Sequence, residues 1–264
     1  MQSNNKHSIL RTENLAIGYR SKKKTTTIAS DINFELEKGQ LVGLVGANGI
    51  GKSTLLRTLI KVQSLLSGDI FIADNNLSDI PNKSLAKLLS IVLTESLVSK
   101  NLTVFELIAL GRYPYTNWIG TLTKEDTHKV NETLGIIGIT DLKDRKCYEL
   151  SDGQLQKVMI ARALAQDTDL IILDEPTTHL DMYHKAFILK LLKRLTEETN
   201  KTILFSSHEI NLAIQLCDSM IVMGNSKVIT GEPCQLIAND TFNTLFPKDM
   251  IVFDAQTGSF KITK

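Results

Sequence analysis

Gly46-Ala47-Asn48-Gly49-Ile50-Gly51-Lys52-Ser53-Thr54 has the spacing G-x-x-x-x-G-K-[ST] of a phosphate-binding loop. The apolar run Leu41-Val42-Gly43-Leu44-Val45 leads into it and reads as a strand buried on both faces. A helical pattern follows from Lys52 through Leu59 and Ile60. Strand, glycine loop and helix start together turn a text match into a site. The three glycines let successive backbone N–H groups converge on phosphate oxygens without Cβ clashes. The helix N-terminus adds its partial positive charge. Lys52 supplies a point charge for the terminal phosphates, and the Ser53 hydroxyl is a hard oxygen ligand suited to Mg²⁺.

Upstream of the loop, Ile9–Leu15 alternates as a strand that ends at Gly18-Tyr19-Arg20. Ser21–Thr27 reads as a basic, polar loop, and Ile32–Glu37 as a second alternating strand before the Lys38-Gly39 turn. These imply an antiparallel edge sheet ahead of the nucleotide core. Downstream, Ser67-Gly68-Asp69 reads as a break and Ile70–Ile72 as a short strand. Pro81–Leu89 reads as a helix and Ser90–Leu93 as another strand. From Ser96 to about Ala165 the pattern is helical. Thr103, Thr123 and Ser151 stand as N-caps of segments at Thr103–Leu110, Thr123–Ile137 and Ser151–Ala165. Buried strands then return at Leu170–Leu173, Thr202–Ser206 and Met220–Met223, separated by helices at Met182–Thr199 and Glu209–Cys217. A helix around Pro233–Ala238 and two strands joined across Gly258 close the chain. Buried strands alternating with helices predict a doubly wound α/β sheet, with about Ser96–Ala165 inserted between sheet strands.

Composition narrows the function. The 264 residues suffice for one large domain, or a domain with a subdomain, and 42% hydrophobic residues supply an ordinary core. A formal net charge of +1 argues against a general nucleic-acid binder. The three cysteines, Cys147, Cys217 and Cys234, have neither metal nor disulfide-framework spacing. No apolar run approaches the roughly 18 residues needed to span a bilayer, so any membrane role is expected to run through a partner.

Four further stretches add chemistry to the loop. Asp174-Glu175 follows the Leu170–Leu173 strand, at the carboxyl end of the sheet where ligands bind. Asp174 there would hold Mg²⁺, and Glu175 is placed to act as general base on an attacking water. Leu150-Ser151-Asp152-Gly153-Gln154 is a capped helix start, another anion-binding end or simply an N-cap. Ser206-Ser207-His208 ends a strand with a histidine able to hydrogen-bond a phosphate, although a lone histidine is more often a packing residue. Tyr19 either packs in the core or stacks on a base.

With these motifs in order from Tyr19 to about Met223, the chain resembles the ATP-binding-cassette (ABC) ATPases. Their signature L-S-G-G-Q is matched at Ser151, Gly153 and Gln154, with Asp152 in place of the first glycine of the pair. The resemblance implies a P-loop NTPase (RecA-like) core at 1–95 and 166–264 with an N-terminal antiparallel β subdomain. It also implies a helical subdomain at 96–165 carrying the signature. ATP would contact Tyr19, by stacking, and Gly46, Ala47, Asn48, Gly49, Ile50, Gly51, Lys52, Ser53 and Thr54. Mg²⁺ would meet Ser53, Asp174 and Glu95, the last standing where the family has a glutamine. Glu175, Lys52 and the switch histidine His208 would carry catalysis, and Asp181 would lie in the loop that crosses the dimer interface. Ser151, Gly153 and Gln154 would close over ATP held by a second copy in a head-to-tail dimer, with Asp152 expected to point away from the phosphate. His179 and His184 read as loop and helix-surface residues.

Leu107–Pro114 and Ser206–Ala213 further resemble importer ATPases for ferric siderophores, haem and vitamin B12. That implies a Mg-dependent ATPase peripheral to the cytoplasmic face of the cell membrane. Its partner would be a polytopic permease seated on residues from about Leu97 to Pro114, with a periplasmic or lipid-anchored substrate-binding protein engaged indirectly and no nucleic acid. The alternative is a soluble, non-transport ABC ATPase of a cluster-assembly or repair complex. Neither reading identifies the cargo from this chain.

Overall fold

Two long strands, β1 (Ser8–Arg20) and β2 (Thr25–Glu37), form an antiparallel hairpin and lead into β3 (Leu41–Gly46). Helix α1 (Lys52–Leu59), strands β4 (Ser67–Ile72) and β5 (Asn75–Asn76), the single turn α2 (Asn82–Leu85) and strand β6 (Leu89–Val92) follow. The next stretch is helical: α3 (Val104–Ala109), a tight turn at Leu110–Tyr115, α4 (Lys124–Ile137) and α5 (Asp152–Ala165). Strand β7 (Leu170–Leu173), α6 (Met182–Thr199), β8 (Thr202–Ser207), α7 (Ile210–Leu216), β9 (Ser219–Met223) and β10 (Val228–Gly231) complete the main sheet. Helix α8 (Pro233–Ala238) and the hairpin of β11 (Ile251–Asp254) and β12 (Ser259–Ile262) end the chain. This computed structural model describes residues 8–22, 24–93, 100–224, 227–247 and 249–263. Among them no helix is long and apolar enough to cross a membrane.

The main sheet runs β10-β9-β3-β8-β7-β6, parallel except for the edge strand β10. Its strands read as unbroken apolar runs because both faces are covered, and the period of two appears only in which face each residue serves. Leu41, Val45, Ile171, Leu173, Ile203, Phe205, Met220 and Val222 pack with α3, α5, α6 and α7. Val42, Leu44, Leu170, Ile172, Leu204, Ile221 and Met223 pack with α1 and the second sheet, ordered β2-β1-β4-β5. The carboxyl ends of β3, β7 and β8 therefore lie side by side, and each carries one of the stretches singled out above.

Four local expectations are corrected. The predicted loop Ser21–Thr27 ends at Lys24: Thr25, Thr26 and Thr27 are strand residues paired with Arg20, Tyr19 and Gly18, their polar, exposed face hiding the alternation. Ser67-Gly68-Asp69 belongs to β4 and does not break the chain. Gly68 takes φ 84° beside the Asn14 backbone, so it marks an irregularity in the β1–β4 pairing. The helix predicted at Pro81–Leu89 is one turn, with Pro81 outside it as N-cap. Strand β10 lies in a region read only as helix and terminal hairpin; it finds its place by pairing with β9.

The helical stretch is held by a buried ion pair. Arg112 and Asp126 are 6% and 3% exposed, with Arg112 Nε donating to Asp126 Oδ1 at 2.9 Å and Arg112 Nη1 to the Ala165 carbonyl at 2.9 Å. This ties the Leu110–Tyr115 turn to the start of α4 and the end of α5. Burial works against the Asp126 carboxylate, but the Thr123 backbone and hydroxyl and the Arg112 guanidinium outweigh it and hold its pKa below the ordinary value. The stability it contributes is therefore complete above the ordinary carboxylate range and is lost as pH falls through the depressed value. Arg112→Ala is expected to lower unfolding stability by about 3–5 kcal/mol, because it leaves a buried carboxylate uncompensated. Urea denaturation at neutral pH measures this, and a loss under about 1 kcal/mol would mean that the pair does not anchor the turn.

Candidate active site

The phosphate loop leaves β3 at Gly46 and enters α1 with Gly51 as N-cap, in the left-handed region at φ 113°, with no side-chain cap on the helix. A Cβ at position 51 would collide with Ile28 Cγ2, so both the backbone conformation and the space require glycine. The first-turn N–H groups of α1 stay available to an anion. Lys52 is 5% exposed and folds back over the loop, donating to the Gly46 carbonyl at 2.9 Å and the Ala47 carbonyl at 3.2 Å. Burial pulls its pKa below the ordinary lysine value, and the nearby Glu175 and Asp174 carboxylates offset part of that.

The β7 and β8 ends meet the loop from one side. Asp174 is 5% exposed; its Oδ1 accepts from Ser53 Oγ at 3.2 Å and from Ser206 Oγ at 2.7 Å. A hydroxyl and a carboxylate converging in this way form a hard-oxygen donor set that fits Mg²⁺. Glu175 follows in the left-handed region at φ 49°, with its N–H donating to Ser206 Oγ at 2.8 Å. Its Oε2 accepts from Thr178 Oγ1 at 3.0 Å, and its Oε1 lies 2.6 Å from His208 Nε2. Lys52 Nζ is 3.5 Å from the other ring nitrogen, His208 Nδ1. With a cation on one side and a carboxylate on the other, the satisfied tautomer has Nε2–H donating to Glu175 and Nδ1 facing Lys52.

A cavity of about 530 Å³ opens over these groups, lined by Tyr19, Ile28, Asn48, Gly49, Gly51, Lys52, Ser53, Thr54, Glu175 and His208. Gly46 and Ala47 contribute carbonyls beneath it, and the Ile50 N–H turns back to the Ala47 carbonyl. Tyr19 stands at the end of a strand rather than in a loop. It is 54% exposed, and its hydroxyl lies 3.1 Å from Thr54 Oγ1, so one edge is tethered and a ring face is open. Ser151, Gly153 and Gln154 do not line this cavity. Ser151 caps α5 in a reciprocal pair with Gln154, and Asp152 is exposed in the first turn, where the helix end favours an acid. Glu95 lies outside the described residues.

Several contributors escaped the sequence reading. Ile28 and Thr178 belong to no stretch singled out above, and Ser206, there only the start of the stretch ending in His208, has no role in that reading. Thr178 reaches Glu175 within its own loop, whereas the adjacency of β7 and β8 brings in Ser206. His184, read as a surface residue, packs its ring on the signature helix: a Cβ on Gly153 would come within 2.9 Å of His184 Cδ2. Asp181 caps α6 and accepts from the His184 N–H at 2.8 Å, with its carboxylate 2.9 Å from His184 Nδ1.

A second, mostly apolar hollow of about 290 Å³ lies on the helical stretch, lined by Leu102, Phe105, Glu106, Ala109, Leu110, Tyr113, Thr116, Gly120 and Leu122. Leu97, expected at this surface, is outside the described residues.

The family model described as ABC transporter matches residues 29–178, more than half of the chain. A probable siderophore transport system ATP-binding protein of Bacillus subtilis is 36% identical over 240 residues, covering 90% of this chain and 86% of that protein. A structure described as an inward-facing conformation of a metal-chelate type ABC transporter has a TM-score of 0.79 at 27% identity, over 90% of this chain and 89% of that one. A dimeric ATP-binding cassette in a post-hydrolysis state, bound to ADP and phosphate, has a TM-score of 0.72 at 26% identity, over 85% and 98%.

Proposed function

This chain belongs to the ABC transporter family as an ATP-binding and ATP-hydrolysing subunit, and we propose that it energises import of a ferric siderophore, haem or cobalamin-type chelate through a membrane permease. Its fold is the P-loop ABC ATPase core with an antiparallel β sheet and an inserted helical subdomain. The observation that carries the import reading is the similarity along nearly the whole chain to a siderophore transport subunit. The soluble, non-transport alternative has no comparable support.

ATP would enter the cavity with its base on the open face of Tyr19 and its phosphates on the Gly46–Thr54 loop. Mg²⁺ would be held by Ser53 and Asp174, with Glu95 as a further candidate ligand, and supplies charge neutralisation at the phosphates. Glu175 takes a proton from the attacking water. Lys52 and His208 stabilise charge that develops on the γ-phosphate oxygens. For His208 to reach the phosphate, its hydrogen bond to Glu175 has to open, which frees the carboxylate for water at the same moment. Two copies in head-to-tail arrangement would complete each site with Ser151, Gly153 and Gln154 of the other copy. The division into a core at 1–95 and 166–264 and a helical subdomain at 96–165 suits this, because the subdomain then moves the signature as a unit. The hollow around Phe105, Leu110 and Tyr113 offers a permease helix an apolar seat, which would place the chain peripherally on the cytoplasmic face of the membrane.

The test is capture of a partner. Tagged Glu175→Gln protein with Mg-ATP is expected to retain a stoichiometric polytopic protein from detergent-solubilised membranes of its own cell. ATPase activity without any polytopic partner would overturn the import reading.

A further inference from the structure

Ser206 is the last but one residue of β8 and is fully buried. The residues before it, Ile203, Leu204 and Phe205, are apolar, as a strand covered on both faces requires. A hydroxyl placed there without partners would oppose folding. Its partners are the two carboxylate residues of the hydrolysis centre. Leu173 pairs with Phe205, so the next residues along, Asp174 and Ser206, are neighbours across the two strands. A hydroxyl has one proton. Because the Glu175 N–H donates to Ser206 Oγ, the Ser206 proton is directed to Asp174 Oδ1. The polarity of the bridge is therefore fixed, and a single oxygen sets both the carboxylate on the metal side and the backbone of the base.

The backbone it holds is unusual. Glu175 takes φ 49°, a region sparsely occupied by residues other than glycine, asparagine and aspartate. Such a conformation persists only when neighbours over-determine it. Here the N–H is held by Ser206, and the side chain is held from the other end by Thr178 and His208. We propose that Ser206 is a positioning residue for ATP hydrolysis, its hydroxyl bridging Asp174 and the Glu175 amide so that metal ligand and base keep one mutual arrangement. The assignment rests on Glu175 as base and is independent of what the transporter carries.

The experiment uses the full chain carrying Ser206→Ala or Ser206→Thr. Four quantities are read: kcat and KM for ATP, ATP affinity without divalent metal, Mn²⁺ affinity of the ATP-loaded protein by electron paramagnetic resonance, and melting temperature. Ser206→Ala is expected to lower kcat about 10- to 100-fold, the effect of one hydrogen bond to a charged group. Metal-free ATP affinity should stay within about twofold, because the phosphate loop does not involve Ser206, and Mn²⁺ affinity should fall about threefold or more. Ser206→Thr keeps the hydroxyl and is expected to recover kcat to within about threefold of the unsubstituted protein. If Ser206→Ala does not fold, Ser206→Cys, with its weak donor, is read on the same scale.

The proposal is overturned if Ser206→Ala keeps kcat within about twofold. It is equally overturned if ATP affinity and melting temperature fall together with kcat, or if Ser206→Thr is as slow as Ser206→Ala. Failure of the underlying assignment is distinguishable, since it shows as an active Glu175→Gln variant.

Discussion

Glu175→Gln is expected to lower ATP hydrolysis by about three orders of magnitude while leaving ATP bound, the range for removing a general base. The substitution is close to isosteric. Glutamine retains a carbonyl oxygen for the Thr178 hydroxyl or for His208, so the φ 49° backbone and its Ser206 contact have no reason to move. What it loses is the capacity to accept a proton from water, together with one negative charge beside Lys52. ATP affinity should hold or rise, since a carboxylate no longer faces the incoming phosphates. With hydrolysis blocked, the ATP-bound protein is expected to accumulate as a dimer. Phosphate-release kinetics and sedimentation under saturating Mg-ATP measure both effects. Activity within tenfold of the unsubstituted chain would remove Glu175 from the role of base. A monomer under saturating Mg-ATP would count against the head-to-tail dimer.

Lys52→Ala is expected to weaken ATP binding by about 10- to 100-fold, and hydrolysis with it, the effect of losing one or more charge-assisted hydrogen bonds. Lys52 is already desolvated and held over the loop by the Gly46 and Ala47 carbonyls. Its ammonium reaches the phosphates by exchanging those carbonyls for phosphate oxygens, with little further desolvation to overcome. Burial lowers its pKa, and the Glu175 and Asp174 carboxylates oppose that by favouring the charged form. Calorimetric titration with ATP measures the loss, and unchanged affinity would show that the backbone amides alone bind the phosphates. The two substitutions separate binding from chemistry. Lys52→Ala weakens both, whereas Glu175→Gln removes chemistry while binding holds or rises.

The sequence by itself determined the elements whose cause is local. The glycine spacing fixes the loop backbone. Thr103, Thr123 and Ser151 each cap the helix expected of them, because a hydroxyl three residues before a free N–H needs no distant partner. The runs Leu41–Val45, Leu170–Leu173 and Thr202–Ser206 read as strands buried on both faces, and their order with the intervening helices pointed to the α/β sheet, while the resemblance to the family came from the motifs spaced along the chain. Tertiary structure alone decided what depends on which strands lie side by side. Strand order 3-8-7 sets Ser206 between Asp174 and Glu175, and the packing of α1 against β1 brings Thr54 to Tyr19. In the sequence Arg112 reads only as part of the stretch to Pro114 expected to seat the permease, yet it is the buried partner of Asp126, because α4 and α5 fold over the turn that carries it. His184 meets Gly153 for a similar reason, being brought onto the signature helix from 31 residues along the chain. Each of these is a contact between side chains distant in sequence, set by packing of whole elements. A pattern of neighbours along the chain carries no record of it.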